Sequence, residues 1–169
     1  MGGALCAAFI RCMKAVVQRV HGACVSVNGE ECGRIGAGLL VFVGVQQGDT
    51  LEDAQWLARK LPQLRVFEDA QERMNRSVRD IGGGILAISQ FTLFGNVRKG
   101  TRPSFNHAAS PEQAVPLYEA FLAELEAARG KPVPRGVFGA YMRIEADNDG
   151  PVTLIIDTRE SRARAGSDA

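Results

Sequence analysis

Two polar strings stand out in this chain: Ser89-Gln90-Phe91-Thr92 and Asn148-Asp149-Gly150-Pro151-Val152-Thr153. The first closes the apolar run Ile85-Leu86-Ala87-Ile88, which places its hydroxyls and amide at the end of a buried strand. A hydroxyl at such a place bonds nearby backbone with no catalytic part. The second string is turn chemistry, because Gly accepts positive φ while Pro fixes φ and lacks an N–H. Taken locally, it predicts a hairpin turn between strands at 140–146 and 152–156. Neither string contains a base. His21 and His107 lie elsewhere, so spacing assembles no Ser-His-Asp triad.

The elements that must position these strings read as follows. Residues 14–20 and 23–27 alternate with β-branched side chains, and Asn28-Gly29 is a two-residue hairpin signal. Residues 39–45 are almost wholly apolar, a buried central strand. Thr50-Leu51-Glu52-Asp53 opens a helix whose stripe is Leu51, Ala54, Leu57, Ala58 and Leu61, with Pro62 ending it. A short strand at 64–67 precedes a polar, irregular stretch at 68–80. Residues 95–109 form a long loop with Arg98, Lys99, Arg102, Phe105 and His107; cations beside an aromatic suit a nucleic-acid backbone. Ser110-Pro111-Glu112-Gln113 reads as a capped helix start, and Gly130 with Pro132 as its stop. Pro116 predicts a kink or a late start in that helix. The order implies an α+β domain, a curved antiparallel-rich sheet or β-barrel packed with two main helices.

Composition narrows the class further. In 169 residues, 20 Lys+Arg stand against 19 Asp+Glu, a net charge of +1, which excludes a globally basic nucleic-acid binder but not a local basic patch. No apolar run reaches the ~18 residues of a membrane span. Cys6, Cys12, Cys24 and Cys32 form no CxxC pair, so neither a zinc site nor a disulfide framework is expected, and no metal or cofactor is implied. Residues 1–12 read as an N-terminal extension, 13–157 as a single domain, and 158–169 as a flexible C-terminal tail.

Three strings together, Ser89-Gln90-Phe91-Thr92-Leu93, Gly100-Thr101-Arg102-Pro103-Ser104-Phe105 and Asn148-Asp149-Gly150-Pro151-Val152-Thr153, resemble the motifs of the D-aminoacyl-tRNA deacylases in order and spacing. Met13 to Val20 is similar to the opening strand of that family, and the likeness runs to about Asp157. The resemblance implies a cytoplasmic homodimer without cofactor. It implies hydrolysis of the ester of D-aminoacyl-tRNA, and of glycine mischarged on tRNA-Ala. Each site would join Ser89, Gln90, Phe91 and Thr92 of one subunit to a cis Gly150-Pro151 of the other. Their carbonyls would exclude L side chains, with Arg19 bracing the loop and Met142 contacting substrate. Thr153, Thr92, or a water assisted by the tRNA 2′-OH would attack, the last being favoured because no base activates Thr153. Arg98, Lys99 and Arg102 would meet tRNA phosphates. The alternative is a non-catalytic relative of the same fold that binds nucleic acid, DNA included.

Overall fold

The computed structural model describes residues 12–159. One long strand organises the sheet: β1 (Lys14–Val27). It turns through Asn28 and Gly29, both at positive φ, into β2 (Glu30–Ile35), and then β3 (Gly38–Gly44) returns along the first half of β1. Helix α1 (Leu51–Lys60) follows, opened by Asp53 Oδ2 accepting from the Thr50 N–H at 2.9 Å and continued by a 3-10 turn at Leu61–Gln63 that carries Pro62. The strand expected at 64–67 is extended only from Phe67: β4 (Phe67–Glu68) pairs with β5 (Met74–Arg76), a small hairpin that reaches into the stretch expected to be irregular. Strand β6 (Gly84–Ser89) pairs parallel with β3 and ends in a 3-10 turn, Phe91–Phe94.

Helix α2 (Pro111–Arg129) closes on Gly130 in the left-handed region. Two expectations for this helix need correction. Ser110 stands at the cap, but its side chain makes no capping bond; its carbonyl accepts the first turn instead. The helix also runs through Pro116 without a late start. Pro116 is on the exposed face, where water reaches the carbonyl that proline leaves unpaired.

The last strand, β7 (Arg143–Asp157), corrects a larger expectation. No hairpin forms at 148–153. Both flanking runs lie along β1, antiparallel, from Lys14↔Asp157 to Ser26↔Arg143. Between the pairs Gln18↔Thr153 and Val20↔Asn148, four residues of β7 oppose the single residue Arg19, so the Gly-Pro string is a large bulge in one continuous strand. The sheet thus curls around β1, with β2 and β3 sharing one side of it and β7 on the other.

Strands β3 and β6 are buried on both faces, which explains their unbroken apolar runs. Leu39, Val41, Val43, Ile85 and Ala87 face α1 and α2, meeting Leu57, Leu61, Phe121, Leu122 and Leu125 in the main core. Leu40, Leu86 and Ile88 point the other way, against Val20, Ala23, Val25 and Ile35. Truncating a side chain such as Phe121 in this packing costs about 3–5 kcal/mol.

The chain-end boundaries also shift. Residues 1–11 and 160–169 lie outside the described residues, but Cys12, Thr158 and Arg159 belong to the domain. Cys12 is buried and donates to Gln46 Oε1 at 2.8 Å. Met13 and Thr158 exchange bonds at 3.0 Å, the Met13 N–H to Thr158 Oγ1 and the Thr158 N–H to Met13 O. These bonds tie the ends of β1 and β7 together.

Candidate active site

The parallel pair β3–β6 delivers Ser89 and Gln90 to the rim of a cavity of about 500 Å³. Phe91 lines it from the 3-10 turn, Tyr118 from α2, and Phe138 and Met142 from the segment entering β7. No charged side chain is in the lining. The lining is mostly apolar and aromatic, with Ser89, Gln90 and the tyrosines as its polar side chains.

The 3-10 turn supplies the donors. Its first hydrogen bond runs from the Leu93 N–H to Gln90 O at 3.3 Å, so the N–H groups of Phe91 and Thr92 precede the ladder and are not taken up by it. The Gln90 N–H is spent on Val43 O at 2.7 Å, locking the strand end in place. Gln90 Nε2 donates to Thr92 Oγ1, which turns that hydroxyl away from a nucleophile's role. Tyr118 carries a buried hydroxyl with no hydrogen-bond partner among the described residues, and burial raises its phenol well above the ordinary value. It remains a neutral O–H donor for a ligand.

The Gly-Pro bulge lies elsewhere on the chain. Gly150 sits at φ +122°, and the Gly150-Pro151 bond is cis. Both residues are exposed. Arg19, buried on β1, holds the bulge from beneath. Its Nη1 donates to Val66 O at 2.6 Å and its Nη2 to Asp149 Oδ1 at 3.4 Å. Its Nε lies 3.1 Å from Asp149 Oδ2, an ion pair out of line for a hydrogen bond. A Cβ on Gly150 would stand 2.9 Å from the Val152 nitrogen and 3.2 Å from Arg19 Nη2, so the bulge is fitted to glycine. His21 Nε2 adds a contact at 3.6 Å to Asp149 Oδ1 from the exposed side.

Within one chain, therefore, Ser89, Gln90, Phe91 and Met142 share the cavity, whereas Thr92, Thr153, Arg19, Gly150 and Pro151 are not in its lining. Thr153 is exposed and donates to Gln18 Oε1 at 3.2 Å, with no base in contact. Arg98, Lys99 and Arg102 are exposed on the long loop, which folds back on itself through paired bonds between Asn96 and Ser104 at 2.8 and 2.9 Å. Sequence reasoning missed Tyr118 and Ala114 as lining residues, because a helical stripe looks the same whether it fills a core or lines a cavity, and missed Phe138 because it stands in a turn with no periodic pattern. Among the described residues, no group of three His, Cys, Asp or Glu side chains is placed to hold a metal ion. Burial pushes the Cys12 thiol up to about 11, which leaves it protonated at neutral pH and no nucleophile.

The sequence profile of the family described as D-Tyr-tRNA(Tyr) deacylase matches residues 16–157. The chain belongs to this family. The deacylase-family chain is 56% identical over 146 residues to the D-aminoacyl-tRNA deacylase of Opitutus terrae, covering 86% of this chain and 97% of that one. It is 55% identical over 148 residues to the namesake from Thermus aquaticus, with 88% and 97% covered. Among solved structures it is similar to the c-Myc DNA Unwinding Element Binding Protein, with a TM-score of 0.79 and 43% identity over 85% of this chain and 97% of that one. The matched span takes in both polar strings and runs from the third residue of β1 to the end of β7. Among the described residues, no helix is long and apolar enough to cross a membrane.

Proposed function

We propose that the protein is an ester hydrolase that cleaves D-aminoacyl-tRNA into a free D-amino acid and tRNA, at a site shared by two copies of the chain in the cytoplasm. The observation that carries this reading is the separation of two fitted halves. A neutral cavity with unspent N–H donors lies at the end of β6, and an exposed, braced bulge stands on β7 outside its lining. The bulge is held from behind by a buried arginine while Gly150 and Pro151 at its tip are exposed, as expected of a part that serves another subunit. Strand β7 is paired on one side only, Ile155 on it is 75% exposed, and Tyr141 at the cavity rim is 96% exposed, both apolar surface suited to a partner copy.

In this reading the terminal adenosine enters the cavity and the ester carbonyl meets the N–H groups of Phe91 and Thr92. Water, assisted by the neighbouring 2′-OH, adds to the carbonyl carbon. The resulting oxyanion rests on those donors, and the bond to the 3′ oxygen breaks as that oxygen takes a proton. Gly150 and Pro151 of the partner subunit face the α-carbon and leave no room for an L side chain. Selection is by exclusion, and glycine, which has no side chain, passes. Met142 packs on the bound nucleoside, and Arg98, Lys99 and Arg102 meet phosphates. Named D-aminoacyl-tRNA deacylases at more than half identity support this over a role confined to binding nucleic acid.

A solved relative named for binding a DNA unwinding element motivates the second reading, in which the fold binds nucleic acid without chemistry. Deacylation of D- and L-tyrosyl-tRNA by the purified protein separates the two. Rapid loss of the D ester with the L ester spared is expected. Equal rates, or duplex-DNA affinity with no hydrolysis, would remove the deacylase reading.

A further inference from the structure

The 3-10 turn Phe91–Phe94 is a partition with a different hollow on each side. Phe91 lines the neutral cavity, whereas Leu93 and Phe94 line an open groove of about 540 Å³. The neighbouring ribbon repeats the arrangement, with Val45 on the cavity and Gln46 on the groove. The two hollows share this wall but not their chemistry. The groove carries Lys14, Arg98, His107 and Arg159 and no carboxylate. Arg159 is engaged by Asp157, its Nε lying 3.0 Å from both carboxylate oxygens. Lys14 Nζ lies 5.2 Å from the centre of the Phe94 ring, and neither Lys14 nor Arg98 forms an ion pair among the described residues. Gln46 has its amide oxygen occupied by the Cys12 thiol, which leaves its NH2 group as a neutral donor.

Asp157 offsets Arg159 and acts on Lys14 as well, so the lining keeps a net positive charge to which Lys14 and Arg98 contribute, and an anion is its complement. Such a lining matches a phosphodiester, and the shared wall fixes which one. We propose that this groove holds the sugar-phosphate backbone of the single-stranded nucleotides that immediately precede the esterified terminal nucleoside, with Lys14 and Arg98 as the phosphate contacts. The inference rests on the deacylase reading for what fills the cavity. It divides the loop cations: Arg98 serves the single strand, and Lys99 and Arg102, which do not line the groove, serve the stem beyond it.

The test compares two substrates of the full-length protein: D-tyrosyl-tRNA, and 3′-O-D-tyrosyl adenosine, which has the ester and no phosphate. Lys14→Gln with Arg98→Gln should raise the tRNA concentration needed for half-maximal rate about tenfold and flatten its log–log salt dependence by about 1.4, the loss of two single-strand phosphate contacts. The adenosine ester should respond far less, and Lys14→Arg with Arg98→Lys should restore the tRNA substrate. An unchanged salt slope on tRNA overturns the proposal. So does an equal loss on both substrates, which would mean that the side chains support the cavity wall rather than bind phosphate. If the parent protein cleaves neither ester, the deacylase reading falls by itself. The groove is then judged by binding of a single-stranded RNA ending in CCA, where equal affinity of parent and double variant overturns it.

Discussion

At the residue scale, the proposed reading gives the chemistry to main-chain groups and leaves side chains to hold them in place. Thr153 shows the difference. Its hydroxyl bonds Gln18 and has no base, so activation as a nucleophile has no local means. Thr153→Ala is expected to keep kcat on D-aminoacyl-tRNA within about threefold of the parent, whereas loss of a covalent nucleophile costs several orders of magnitude. Single-turnover rates read the distinction. Gly136 makes a second case. A Cβ there would lie 2.4 Å from Met142 Sδ and 3.3 Å from Ile88 Cδ1. Met142 is flexible and lines the cavity, so Gly136→Ala should displace it into the substrate's space. Thermal stability should fall little, by about 1 kcal/mol, while KM rises severalfold. A large loss of stability with unchanged KM would show that Met142 does not yield.

At the element scale, what the sequence made legible was local and periodic. The Asn28-Gly29 turn, the double-faced burial of β3 and β6, the Asp53 carboxylate at the start of α1 and the left-handed Gly130 all follow from short-range rules. The bulge did not, because turn residues state that a chain bends and say nothing of what its flanks pair with. Here the 14 residues of β1 are long enough to pair with both flanks, and that length is the clue in the sequence. The late start offered for Pro116 failed for a related reason: the cost of an internal proline depends on whether water reaches the freed carbonyl, a tertiary matter. The end of β7 carries a pH-dependent bond. Burial acts to raise the Asp157 pKa, but hydrogen bonds and charge from Arg159 outweigh it and hold the carboxyl below its ordinary value. A depressed folded pKa means that the contribution is complete above the unfolded carboxylate value and is lost as pH falls through the folded one. Asp157→Asn should therefore cost about 1 kcal/mol near pH 6 and progressively less as the pH falls below the ordinary carboxylate range, read by urea unfolding across that range. A cost that does not change with pH would assign the loss to packing.

At the scale of the whole molecule, the fold keeps its two specialised surfaces apart on one chain. The curl of the sheet around β1 sets the cavity at the end of β6 and puts the bulge on the far edge strand. The cavity's Ser89–Phe91 rim was visible in sequence as a polar end to an apolar strand. Tyr118 in its lining was not, since an aromatic residue on a helical stripe reads as core, and Phe138 stands in a turn that carries no periodic signal. A two-fold dimer is self-complementary, so each bulge that reaches a partner's cavity is matched by the reciprocal contact. Neither half is expected to work alone, although either can be damaged alone.

Mixing two damaged subunits tests this most directly. Gly150→Ala strains the bulge, and Ala140→Trp fills the cavity at its rim. Each variant by itself is expected to lose deacylation of D-tyrosyl-tRNA. After subunit exchange, half of the dimers pair one of each, and one of their two sites is made only of undamaged parts. The mixture should recover about a quarter of the parent activity. Activity that stays at the average of the two separate variants would contradict a site shared between subunits.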